Sequence, residues 1–379
     1  MEPATLPTAS TPESNSAPRI KVVHLVLSLN IGGLEKVVYD LVRFTDTGRF
    51  DIEVLCLDSV GALGPAFEQL GVRVEGMQVR GRGLWGAIRA MASRLRQMRP
   101  DVLHTHNQAP HAIGAPAAWW AGVKAVVHTR HGRHTTSGWK QRLSQRIADK
   151  LTQRVVAVSG DAARISLDGD RIPQDKVEVI HNGIDLQRFS APDRTFTTTC
   201  YQAIHVARLN DPIKDQQSLL RAARLVADAD PSFTLAIVGD GPDRGLLEAL
   251  CDELSLRSHV TFLGDRHDVP ELLGQARMFV LSSITEGLSI SLLEAMACGL
   301  AVVATDVGGN AEVIQAGETG FLTPPRSPER LAAEILKLLR DPQLCLRMGR
   351  AGRRRVEEHF DLRAVAARYE QIYQHLLRR

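Results

Sequence analysis

From Ile20 onward, short apolar runs rich in β-branched residues alternate with stretches of helical period. This is the pattern of a parallel sheet covered by helices on both faces. Runs at 21–27, 51–57, 72–75, 102–105, 125–129 and 155–158 predict strands, with helices in the intervals. After Asn182-Gly183-Ile184-Asp185 and a threonine-rich polar stretch at 191–199, the alternation restarts at 201–207 and continues at 233–238, 260–263, 278–281 and 301–304. The restart predicts a boundary between one domain over 19–190 and a second over 191–360. Helices at 328–340, 343–359 and 362–377 close the chain, and no short-period repeat interrupts it. Residues 1–18, rich in Pro, Ser and Thr, carry too little apolar surface to offset ordering and predict a mobile tail.

Composition agrees with two cores, because 379 residues exceed what one core usually organises. A hydrophobic share of 44% and a charged share of 23% exclude a disordered chain, a collagen or a disulfide scaffold. The five cysteines are scattered without C-x-x-C or zinc spacing, which reads as reduced thiols in a cytosol. A net charge of +3 does not call for a nucleic-acid partner. The arginine-rich segments 89–99 and 350–355 read as solvated helix faces. For 89–99, basic and partly apolar, a second reading is peripheral contact with an anionic inner-membrane surface. No apolar run reaches the roughly 18 residues that cross a bilayer, and the N-terminus lacks a charged-then-apolar signal, so the expected place is the cytoplasm.

The chemistry concentrates in Ser282-Ser283-Ile284-Thr285-Glu286-Gly287-Leu288-Ser289-Ile290-Ser291-Leu292-Leu293-Glu294, which follows a predicted strand and opens a helix. Two carboxylates eight apart, Glu286 and Glu294, mean little alone and read equally as a surface pair. Here, however, Glu286 precedes the helix and Glu294 sits about a turn inside it. Gly287 and Ser289 leave free N–H groups at the helix N-terminus, which favours phosphate. A diphosphate on those amides would send a ribose toward Glu294 and a sugar ring toward Glu286, since carboxylates accept from vicinal hydroxyls.

This segment resembles the E-x7-E signature of retaining glycosyltransferases of family 4, whose fold is GT-B: an α/β architecture of two Rossmann-like parallel-sheet domains facing a central cleft. Further elements match in order. Gly32-Gly33-Leu34-Glu35 resembles the family's glycine loop, though alone it reads as a turn that starts a helix. Val206-Ala207-Arg208-Leu209-Asn210-Asp211-Pro212-Ile213-Lys214-Asp215 resembles the R-L-x-x-x-K element. Its Arg208 and Lys214 would hold the diphosphate and meet the charge that grows on it, where the bland reading is an ion pair with Asp211 or Asp215. The family spaces these cations five apart and this chain six, implying a bulge at Asn210 or Asp211.

Val238-Gly239-Asp240-Gly241-Pro242 matches a glycine turn that supports the cleft, and Val260 to Arg266 matches the loop whose main chain contacts the base, with Arg266 at the contacting position. Such backbone readout suits uridine or guanosine. Segments 307–314 and 317–322 resemble the family's closing hairpin region. Together with Gly287, Leu288, Ser289, Ile290 and Glu294, residues Gly32, Gly33 and Arg266 form the expected donor-binding set. Glu286, Arg208, Lys214 and His131 form the expected catalytic set. His131 ends Val127-His128-Thr129-Arg130-His131 at a strand's carboxyl end, resembling a T-x-H element beside the donor sugar. His106 ends another strand toward the same crevice, as a participant or as a loop-positioning residue. A metal on His104 and His106 is disfavoured, because no nearby carboxylate or Cys offers a third ligand.

The resemblance spans Ile20 to about residue 371. It implies transfer of a sugar from a nucleoside-diphosphate donor to a hydroxyl of a glycan or lipid-linked acceptor. It further implies retention of configuration, the leaving phosphate helping deprotonate the acceptor, and neither cofactor nor metal. The last helix would cross back to the first domain, and hinge closure would exclude water. Similar chains serve exopolysaccharide or lipopolysaccharide assembly. Three alternatives compete. A nucleotide-sugar epimerase would act on the donor alone. A nicotinamide oxidoreductase needs a G-x-G-x-x-G turn that 29–33 does not supply. A non-catalytic carbohydrate binder would have little reason to keep every charged position.

Overall fold

The computed structural model describes residues 18–30, 32–132, 138–190, 200–211 and 213–378. The expected N-terminal tail, but for Pro18, and the threonine-rich stretch 191–199 lie outside them. The first half runs β1 (Ile20–Val26), α1 (Gly33–Phe44), β2 (Phe50–Cys56), α2 (Gly64–Gln69), β3 (Arg73–Gly76), α3 (Gly83–Met98), β4 (Val102–His106), α4 (Gln108–Ala121), β5 (Ala125–Arg130), α5 (Trp139–Leu151), β6 (Arg154–Ala157), α6 (Gly160–Arg164) and β7 (Val177–Val179). The second runs β8 (Tyr201–Val206), α7 (Gln216–Ala229), β9 (Leu235–Val238), α8 (Arg244–Glu253), β10 (Val260–Gly264), α9 (Val269–Gly274), β11 (Ala276–Leu281), α10 (Ile290–Ala297), β12 (Ala301–Thr305), α11 (Asn310–Val313), β13 (Gly320–Thr323), α12 (Pro328–Arg340), α13 (Pro342–His359) and α14 (Leu362–Leu377).

Each half builds one wholly parallel sheet. The orders are β3-β2-β1-β4-β5-β6-β7 and β10-β9-β8-β11-β12-β13. In both, the strand order reverses beside the first strand, between β1 and β4 and between β8 and β11. Loops diverge at such a switch point and leave a crevice at the carboxyl ends. Burial explains the apolar runs, since β4, β5 and β12 are buried at every residue, as strands covered on both faces must be. In the first domain α3 and α4 pack on one sheet face, while α1, α2 and α14 pack on the other. The final helix thus returns to the domain made first, placing Ala366, Tyr369, Ile372 and Tyr373 in its core.

Several expectations are corrected. The closing hairpin is absent: α11 is a short crossover, and β13 pairs with β12 in parallel, Val302 opposite Gly320 and Thr305 opposite Thr323. A parallel pair needs such a crossover, where a hairpin would need only a turn. Strand β7, three residues long, was not anticipated. Of the run 350–355, Arg353 donates to the carbonyls of Phe189 and Ala297, and Arg355 to those of Val313 and Glu312. These planar forks pin α13 to loop ends instead of forming a solvated face. In α3, Ile88, Met91, Ala92, Leu95 and Met98 are buried. The segment 89–99 therefore offers no apolar face to lipid, and Arg94 is bound to Glu75 at 2.7 Å. All five cysteines are free thiols. Among the described residues no helix is long and apolar enough to cross a membrane.

Candidate active site

The carboxyl ends of the two sheets face each other across a cavity of about 890 Å³, a size suited to a small-molecule ligand. Its walls contain all twelve residues singled out from the sequence: Gly32, Gly33, His131, Arg208, Lys214, Arg266, Glu286, Gly287, Leu288, Ser289, Ile290 and Glu294.

Helix α10 is the organising element. Ser289 is its N-cap in extended conformation and accepts from the Leu292 N–H. The Ile290 and Ser291 N–H groups, at the first helical positions, have no carbonyl inside the helix to bind. Leu292, Leu293, Ala295, Met296 and Ala297 are buried, and so is Glu294, at 4% exposure. A carboxylate in such surroundings needs a partner, and Lys36 of α1 in the other domain supplies one. Glu286, just ahead of the helix, accepts from Lys214 Nζ at 2.6 Å and from the Ser283 hydroxyl at 2.6 Å.

The loop carrying Arg208 and Lys214 is held from several sides. Gln216 donates to the Arg208 carbonyl at 2.9 Å, Ser282 to the Lys214 carbonyl at 2.8 Å, and the Ile284 N–H to the Ile213 carbonyl at 2.9 Å. Strand β8 ends at Val206, so the extra residue in this element is not a strand bulge. Beyond the strand, the Lys214 N–H donates to the Asn210 carbonyl at 3.1 Å. Lys214 consequently reaches Glu286, not Asp211 or Asp215. Arg266 pairs with its neighbour Asp268 at 2.7 Å. Its guanidinium is thereby engaged within its own loop.

Two glycines set how closely the walls approach. A Cβ on Gly287 would lie 1.9 Å from the His131 carbonyl oxygen, so any side chain there would push the domains apart. Gly239 has φ of +123° and would place a Cβ 2.1 Å from the Ala207 carbonyl. Further ties cross the cleft. Asn182 donates to the Leu288 carbonyl at 3.1 Å. Glu312 accepts from the Gly160 N–H at 2.8 Å and lies 2.8 Å from His181 Nε2. Burial alone would raise the Glu312 pKa, but the His181 and Gly160 contacts outweigh it and hold the carboxyl below its ordinary range. Neither the pairing of Lys36 nor that of Glu312 was legible, since each is one charge on a helix whose partner lies far along the chain.

Behind His131 stands a chain of imidazoles. His131 Nε2 lies 3.0 Å from His106 Nδ1, and His106 Nε2 lies 3.0 Å from His24 Nδ1. His106 is buried and is not among the residues that line the cavity, which favours the positioning role over direct participation. The missing third ligand for His104 and His106 exists in His24, with the three rings offering nitrogens within 4.8 Å. Nevertheless, His104 engages both nitrogens with Tyr373 and Thr129, each at 2.7 Å, and His106 engages both with histidines. The group is therefore a hydrogen-bonded chain across β1, β4 and the end of β5. Burial drives His24 down to about 3 and His104 and His106 well below 6.5, so all three are neutral. Among the described residues, His24 Nε2 has no hydrogen-bond partner. A buried lone pair without a donor is tolerated better than a buried N–H without an acceptor. That favours donation from His24 through His106 to Nε2 of His131, leaving the His131 proton on Nδ1.

Comparison with known proteins follows the same division. Residues 31–188 match the family model described as Glycosyltransferase Family 4, and residues 189–355 the one described as Glycosyl transferases group 1. The N-acetyl-alpha-D-glucosaminyl L-malate synthase of Bacillus anthracis is 31% identical over 304 residues, 76% of this chain and 79% of that protein. The UDP-Gal:alpha-D-GlcNAc-diphosphoundecaprenol alpha-1,3-galactosyltransferase of Escherichia coli is 26% identical over 329 residues, 80% and 84% of the two chains. In structure, HepE of Anabaena in complex with UDP superposes with a TM-score of 0.81 at 23% identity, over 94% of this chain and all of that one. That likeness shows the GT-B fold. The epimerase alternative gains nothing from these matches.

Proposed function

The chain belongs to glycosyltransferase family 4, and on that premise we propose that it transfers a hexose from UDP- or GDP-sugar to a hydroxyl of a lipid-linked glycan, with the donor's anomeric configuration retained. The observation that carries this reading is the convergence of Arg208, Lys214, the first amides of α10 and Glu294 on one cavity at the switch points of both sheets.

In this reading the diphosphate lies on the Ile290 and Ser291 N–H groups, where the helix dipole favours negative charge. Arg208 and Lys214 flank it. As the sugar–phosphate bond breaks, charge grows on the departing oxygen, and these preorganised cations stabilise it in the role a divalent ion has elsewhere. Lys214 is steadied by Glu286, which also faces the sugar. Glu294 accepts from the ribose hydroxyls once Lys36 yields. His131, as the Nδ1–H tautomer, donates to a sugar hydroxyl, and the leaving phosphate takes the acceptor's proton. The ties across the cleft keep out water that would otherwise hydrolyse the donor. The diphosphoundecaprenol-linked acceptor in the name of the E. coli relative supports a lipid-linked acceptor here.

A thermal-shift panel of UDP, GDP and their hexose conjugates tests the proposal, because a ligand of the folded state at about 100 times its Kd stabilises by about 2.7 kcal/mol. We expect the nucleotides of one base to raise Tm by several degrees. A flat response to every nucleotide would overturn it.

A further inference from the structure

Helix α5 is inside out. Its exposed face carries Trp139, Leu143 and Ile147, spaced by four, at 71%, 51% and 46% exposure. Its buried face carries Gln145, Ala148 and Asp149. The cause is what lies beneath: Gln145 donates to His111 Nδ1 at 2.7 Å and to Asp149 at 3.1 Å, and His111 stacks on His128 at 3.8 Å. This polar interior takes the helix's polar side and leaves the apolar stripe outward. Lys140, Arg142, Arg146 and Lys150 flank that stripe, and among the described residues no carboxylate pairs with any of them. The helix's single acid, Asp149, is turned inward.

An apolar stripe with tryptophan, bordered by unneutralised cations on one helix, is the composition of a segment that lies in a lipid interface. Position agrees. In a parallel sheet every crossover helix starts at the carboxyl ends of the strands, so α5 begins beside the cleft, next in sequence after His131. Helix α3, on the same sheet face, starts at that edge too, with Leu84 and Trp85 at 46% and 80% exposure. Trp119 and Trp120 lie at the far end of α4 and are not part of this surface.

We propose that the outward face of α5 docks the enzyme on an anionic phospholipid bilayer. This deepens the reading of a lipid-linked acceptor and rests on it for its purpose, since docking would bring the cleft mouth to the membrane plane. The experiment is sedimentation of the full chain with vesicles of phosphatidylcholine containing about 30 mol% phosphatidylglycerol, or none, at low and high salt. The triple variant Trp139→Ser, Leu143→Ser, Ile147→Ser and the charge variant Lys140→Glu, Arg142→Glu, Arg146→Glu are measured alongside Trp119→Ser. We expect salt-sensitive binding to the anionic vesicles alone, at least ~10-fold weaker for both multiple variants and unchanged for Trp119→Ser. Equal binding by the multiple variants, or none by the unaltered protein, would overturn the proposal. So would a dimer that the triple variant dissociates, which would make a second copy the occupant. The nucleotide thermal shift of each variant separates the two readings: an intact shift without vesicle binding sinks docking alone, whereas no shift in the unaltered protein sinks the donor site.

Discussion

Lys36, one turn into α1 of the first domain, donates to the carboxylate of Glu294 in α10 of the second, 258 residues later. The ammonium also stands 5.0 Å from the centroid of Phe189. This contact occupies the carboxylate proposed to receive the ribose, so donor binding and domain closure share a residue. Lys36→Met should strand Glu294 in an apolar helix and destabilise by about 1–3 kcal/mol. Adding Glu294→Gln should recover most of that loss. A double-mutant cycle by urea denaturation measures the coupling, and a value near zero would mean the pair is passive.

Removing the charges proposed to hold the diphosphate should cost rate more than fold. Arg208→Ala and Glu286→Gln are expected to lower kcat by about 10²–10³-fold. Glu294→Gln should instead weaken nucleotide binding with a smaller effect on kcat. Steady-state kinetics and calorimetric titration separate the two, and near-normal turnover by both of the first variants would remove the site assignment.

Because Arg208 and Lys214 are assigned the leaving-group charge, transfer should persist in excess chelator. Rates with and without EDTA should agree within about twofold. A collapse restored by a divalent ion would show that the two cations do not suffice.

The imidazole chain makes a separate prediction. His106→Phe touches neither cavity nor donor, yet it removes the group that fixes the His131 proton on Nδ1. It should lower kcat by about 10-fold with nucleotide affinity unchanged. An unaffected kcat in a folded variant would reduce the chain to packing.

Asp40 gives stability a pH dependence. Burial pushes its carboxyl up to about 6 against the pull of Lys36, Arg188 and Arg43, from an ordinary value of 3.8. The folded state therefore holds this proton more tightly than the unfolded one, and stability falls as pH rises from about 4 through 6. Asp40→Asn should gain on the order of 2–3 kcal/mol at pH 8, with the advantage vanishing below about pH 4. Denaturation midpoints across that range check the sign.

What could be read from the chain alone divides by distance along it. Glu286, Ser289 and Glu294 were legible because a capped helix start with unpaired amides is a local feature, written in consecutive residues. Arg208 and Lys214 were legible despite the extra residue between them, since both line the cavity. Lys36 was not, since nothing near it in sequence distinguishes it from any other helix lysine. His24, His106 and His131 became a chain only once β1, β4 and β5 were laid side by side. Helix α5 misleads outright: apolar residues four apart ordinarily mark a buried stripe, and only the polar network around His111 turns them outward.

The return of α14 to the first domain has a consequence for biosynthesis. Tyr369, Ile372 and Tyr373 complete a core whose other members were translated long before. At about 5–20 residues per second, the first domain waits on the ribosome for roughly 10–40 s with that seam uncovered. Its maturation is thereby tied to the synthesis of residues 362–377, and a chain that stops short of residue 362 would leave the earlier domain, not the later one, unfinished.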